Sequence, residues 1–161
     1  MREIFRRNGA VWLAALAGLV LLASASVPSL GAEPTLAIGG YDPVAYFTQS
    51  RAARGDPQYA YDWDDYRYQF VSAEHRQRFK ARPEQYAPQF PGYCAMSLAD
   101  GVKVEPNPEN WLISDGKLYL FGKPIGPGKF SSNLGENVAR ANENWQRVQH
   151  GEAPALAGQS K

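Results

Sequence analysis

Between residues 59 and 70, large aromatic side chains alternate with small or polar ones. Tyr59-Ala60-Tyr61-Asp62-Trp63 and Tyr66-Arg67-Tyr68-Gln69-Phe70 both carry the two-residue period of a half-buried strand, with Asp64-Asp65 as a turn between them. The pattern predicts a β-hairpin with one aromatic face. Beyond it the period lengthens to that of a helix. Ser72 is placed as an N-cap, Glu74 lies in the first turn where the helix dipole favours an anion, and the segment runs through His75, Arg76, Phe79 and Lys80 to about Ala81. Pro83 restarts a short turn or helix through Tyr86. A second hairpin is expected from Trp111-Leu112-Ile113, through Ser114-Asp115-Gly116-Lys117, into Leu118-Tyr119-Leu120-Phe121, because Asp-Gly supplies the positive φ of a tight turn. After the Gly- and Pro-rich stretch 122–128, a long helix is predicted over 131–149. Phe130, Leu134, Val138, Ala141, Trp145 and Val148 recur there at three- and four-residue steps and read as a core-facing stripe. The fold class is therefore α+β: a small single domain with two β-hairpins, a short helix after the first hairpin and a long amphipathic C-terminal helix.

The two ends break these rhythms. Arg2, Arg6 and Arg7 precede an uninterrupted apolar run over 11–22, too short to span a bilayer comfortably but suited to the core of a signal peptide. Small residues offer cleavage after Ala25 or Ala32, so 1–32 is expected to be a leader and the protein periplasmic or otherwise exported. The domain is then 33–150, and 151–161, without periodicity, reads as a disordered tail. The whole chain has 17 basic and 16 acidic residues; the leader holds three Arg and one Glu, leaving 14 against 15. A near-neutral domain gives no electrostatic reason to expect nucleic acid as a partner, or a membrane once the leader is gone.

Cys94 is the chain's only cysteine. In an oxidising compartment it has no intramolecular disulfide partner, so it is a buried hydrophobe, a reactive thiol, a metal ligand or half of an intermolecular bridge. His75, Cys94 and Met96, with Asp42 and Tyr41 as oxygen donors, form a candidate ligand set. Thiolate, thioether and imidazole together favour a soft ion, above all Cu(I). Each residue also has a structural reading. His75 can bond backbone or water from its helix, Met96 can fill a core gap, and Asp42 before Pro43 can cap backbone N–H groups while Pro43 takes the first helical position. The alternating tyrosines read as packing. No phosphate loop, paired glycosidase carboxylates or Gly-x-Ser-x-Gly elbow is present.

Four ordered motifs resemble the YHS domain family. They are Gly40-Tyr41-Asp42-Pro43-Val44-Ala45-Tyr46-Phe47; Tyr68-Gln69-Phe70-Val71-Ser72-Ala73-Glu74-His75-Arg76 with Phe79; Pro83-Glu84-Gln85-Tyr86-Ala87-Pro88-Gln89-Phe90; and Gly92-Tyr93-Cys94-Ala95. The chain is most similar to the exported single-domain branch, some members of which carry selenocysteine at the position of Cys94. The resemblance covers about 38–145 and implies metal binding or redox chemistry at that position. Metal-binding members carry a cysteine after Asp-Pro-Val and more around the Phe-x-Ser segment. Here Ala45 stands after Asp42-Pro43-Val44, Val71 follows Phe70, and His75 takes the later ligand position, so a Cys-rich zinc knuckle cannot be assembled.

Three functions remain in view. The first is a binding protein rather than an enzyme, holding a copper ion through Cys94 and His75, with Met96 and Asp42 as further ligands. The second is a thiol redox protein or sensor in which Cys94 is the catalytic residue, oxidised to a sulfenic acid and resolved by a partner protein's thiol. The third is a non-catalytic module that binds a partner through its aromatic surface.

Overall fold

The computed structural model describes residues 33–154. Residues 1–32, expected to be a leader, and 155–161 of the expected tail lie outside the described residues. A three-stranded sheet has the order β1 (Thr35–Leu36), β3 (Tyr66–Phe70), β2 (Asp56–Trp63), with β1 parallel and β2 antiparallel to β3. A two-stranded sheet pairs β4 (Asn107–Ser114) with β5 (Lys117–Phe121). Six helices complete the α+β fold: α1 (Pro43–Gln49), α2 (Ala73–Ala81), α3 (Pro83–Tyr86), α4 (Ala95–Ala99), α5 (Gly126–Ser132) and α6 (Leu134–Gln149). No helix of the described residues is long and apolar enough to cross a membrane.

Both hairpins form where the alternation places them. In the first, Tyr61 pairs with Tyr68 and Trp63 with Tyr66 across the Asp64-Asp65 turn; in the second, Asp115 and Gly116 adopt φ of 50° and 70°, as a tight hairpin turn requires. Each outer strand also runs further than the alternation indicates. β2 begins at Asp56 and β4 at Asn107, and each crosses a register shift, before Ala60 and before Trp111 respectively. Such irregularities interrupt a two-residue period and hide the strand's start. Gly55, just before β2, allows a close backbone approach: a Cβ there would lie 2.4 Å from the Gln69 carbonyl carbon.

The long C-terminal helix is divided. Asn133, at φ −142° and ψ 58°, separates α5 from α6. The buried side chain of Asn137 donates to the carbonyls of Phe130 and Lys129, satisfying the end of α5, and the Asn133 amide donates to Glu136. The stripe nevertheless serves its expected purpose. Phe130 and Ala141 are buried beside Cys94, Leu98 and Phe121, while Leu134, Val138, Trp145 and Val148 pack around them. A second cluster joins Val44, Tyr68, Phe70, Phe79 and Tyr86, and a third joins Tyr46 to Leu118 and Leu120.

Candidate functional site

The sequence-level candidates fall into two separate constellations. The first is built by α1 and α2. Asp42 caps α1: its Oδ1 accepts the Val44 N–H at 2.8 Å and the Ala45 N–H at 3.4 Å, with Pro43 at the first helical position. Its Oδ2 accepts the Val71 N–H at 2.9 Å and meets His75 Nδ1 at 2.6 Å. Ser72 in turn caps α2 by accepting the His75 N–H. Asp42 is fully buried and His75 nearly so. The other ring nitrogen, Nε2, stands 3.5 Å from Thr48 Oγ1, whose hydroxyl donates to the Val44 carbonyl.

This carboxylate is fully subscribed. Three backbone N–H groups and an imidazole occupy both oxygens, so Asp42 ties the start of α1 to the end of β3 and to α2. Asp42 and His75 thus take the structural readings open to them, with the histidine's partner a carboxylate rather than backbone or water.

The second constellation surrounds Cys94, which is 4% exposed. Cys94 is the N-cap of α4, and its sulfur accepts two hydrogen bonds from Ser97, from the backbone N–H at 3.5 Å and from Oγ at 3.3 Å. Its own N–H donates to the Val104 carbonyl at 2.7 Å. The far end of α4 is gripped by α6, where Arg140 Nε donates to the Ala99 carbonyl, Arg140 Nη2 bonds Asp100, and Asn144 donates to the Leu98 carbonyl. Met96 packs against the apolar cluster that contains Cys94, in agreement with its reading as a gap-filler.

Asp42 and His75 are thus committed to one another and to backbone rather than offered together to an ion. Among the described residues, no three of His, Cys, Asp and Glu stand where they could hold a metal ion together, so Asp42, His75 and Cys94 form no joint centre. The reason is local: both oxygens of Asp42 and Nδ1 of His75 are committed to each other and to backbone donors. Tyr41, the other oxygen donor considered, pairs its backbone with Arg54 and lies under that residue's guanidinium.

Two partners were not among the expected site residues. Ser97 has a legible signal, because it follows Cys94 by three positions, the spacing at which an N-cap side chain meets a backbone N–H. That signal was masked by the shortness of α4. Thr48 has none, since only the packing of α1 against α2 brings it to His75. Comparisons with protein families, characterised proteins and solved structures find no match for this chain.

Proposed function

We propose that the chain is an exported thiol protein of YHS type whose working atom is the Cys94 sulfur. The observation that carries this reading is the convergence of two Ser97 donors on Sγ at the N-cap of α4. Sulfur used as an acceptor there is in the electronic role it needs as a nucleophile. The leader-like N-terminus and the motif resemblance support the same reading.

In the proposed step the Cys94 thiolate attacks one oxygen of a peroxide. The S–O bond forms, the O–O bond breaks, and the departing oxide takes a proton, leaving the sulfenic acid. A partner's thiol then attacks that sulfur, expelling water and forming a mixed disulfide, which a second external thiol reduces. External thiols are required because the chain has no second cysteine. Cys94 is almost wholly buried, so access to its sulfur depends on local opening of the surrounding packing.

The test is peroxide treatment followed by a dimedone trap and intact-mass analysis, with Cys94→Ser and Ser97→Ala in parallel. A single adduct on Cys94 is expected, absent in Cys94→Ser and formed about tenfold more slowly in Ser97→Ala, the scale of a lost hydrogen bond to a charged acceptor. Equal rates in wild type and Ser97→Ala would remove the basis of the proposal. Stoichiometric Cu(I) binding lost in both Cys94→Ser and His75→Ala would replace it with the copper function.

A further inference from the structure

A cleft of about 300 Å³ opens among elements of both sheets, with Gly92 and Glu105 in its lining beside the segments that hold the Cys94 backbone. Neither Asp42, His75, Cys94 nor Met96 lines it. Leu36 and Ile38 reach it from the first strand and the turn that follows, Pro91 from the loop leading to Cys94, and Leu120 from β5. The volume and apolar lining are those of a site for one ring or a short chain.

Two further features point to a ligand. Ile38 lines the cleft with φ 51° and ψ 30°, a left-handed conformation that is a genuine outlier for a β-branched residue. Such strain, about 1–3 kcal/mol at a residue of this kind, concentrates where backbone meets a bound molecule. The one charged side chain in the lining is acidic, and the cation that meets a lining residue, Arg54, is bonded to the Gly39 carbonyl. Glu105 lines the cleft, is exposed, and makes no hydrogen bond or ion pair with its carboxylate among the described residues, while no Lys, Arg or His lines it. Tyr66 adds a phenol that stays protonated: burial, then the nearby Asp64 and Asp65 carboxylates, push its titration up. An anion entering this space would meet an unneutralised carboxylate. A cation would meet its counter-charge.

We infer that the cleft binds a small organic cation, with an apolar ring or short chain against Leu36, Ile38 and Leu120 and an ammonium head at Glu105. The inference is argued from the cleft's lining and does not rest on the chemistry proposed for Cys94.

The experiment uses the ¹⁵N-labelled protein and three probes of one shape: benzylamine, benzyl alcohol and benzoate. Benzylamine is expected to shift the amide signals of Leu36, Ile38, Gly39, Gly92 and Leu120 saturably. It should bind about three- to tenfold more tightly than benzyl alcohol, the range of a partly exposed ion pair or cation–π contact, with benzoate weakest. Glu105→Gln should bring benzylamine down to the level of benzyl alcohol without moving the rest of the spectrum. Leu36→Trp, at a half-exposed position, should weaken both by filling the space. The inference is overturned by the absence of saturable shifts at those amides, by equal binding of amine and alcohol, or by a benzylamine affinity that Glu105→Gln leaves unchanged.

Discussion

Asp42 shows how one side chain can join three elements. An isolated buried carboxylate would be costly, and it persists here because four donors, three of them backbone N–H groups, surround it. The residue that carries the joint is the acid, not the histidine. Replacing Asp42 by Asn keeps the shape but turns an acceptor oxygen into an NH₂ facing the Val71 N–H. We expect Asp42→Asn to cost about 3 kcal/mol, the scale of a broken buried charged network. His75→Gln should cost about 1 kcal/mol, because Oδ2 keeps its bond from Val71. Urea denaturation of both variants gives the order directly. A larger loss at His75 would mean that the imidazole, rather than the carboxylate, holds α1 and α2 together.

At the scale of elements, α4 is the piece on which the thiol depends. Five residues cannot sustain a helix in water through their own hydrogen bonds. α4 is held at one end by the cap at Cys94 and at the other by Arg140 and Asn144 of α6. Arg140→Met removes the bonds to Ala99 and Asp100 while keeping most of the aliphatic stem. It should raise the rate of Cys94 alkylation by a neutral maleimide about fivefold, with little change in the urea midpoint. An unchanged alkylation rate would show that α6 does not control access to the sulfur. The same element marks where the sequence stops being readable. The two hairpins and the apolar stripe of 130–148 are legible because their period repeats over many residues, with Asp115-Gly116 fixing one turn outright. α4 and β1 are too short to show a period, and the break at Asn133 depends on a side-chain bond from Asn137 that no local pattern encodes.

For the whole molecule, the chemistry-bearing residues were legible one at a time and their grouping was not, because Asp42 and His75, 33 positions apart, meet only when α1 packs on α2. The aromatic residues behave differently: alternation alone sends Tyr68 inward, and the fold then determines how its hydroxyl titrates. Tyr46 and Tyr68 are almost wholly buried in different clusters, and burial pushes both phenols well above their ordinary range. Glu109, Tyr41 and Asp42 add to the effect at Tyr46, and Tyr66 and Asp64 at Tyr68. The sign of the consequence follows from proton counting. Above the ordinary phenol value of 10.0 the unfolded chain releases these protons and the folded one retains them, so stability is intact below that pH and falls as pH rises through it. Each phenol contributes a slope of up to about 1.4 kcal/mol per pH unit. The two should be separable. Tyr46 donates to the Pro108 carbonyl at 3.0 Å, so Tyr46→Phe should lower stability at neutral pH by about 1 kcal/mol while flattening the alkaline loss. The Tyr68 hydroxyl has no partner among the described residues, so Tyr68→Phe should flatten the alkaline loss at no neutral-pH cost, or with a gain of up to about 1 kcal/mol. Urea midpoints from pH 8 to 11, read beside phenolate absorbance, check both. If absorbance shows every tyrosine ionising near pH 10 while the fold persists, the two phenols are not sealed in the core as this packing requires.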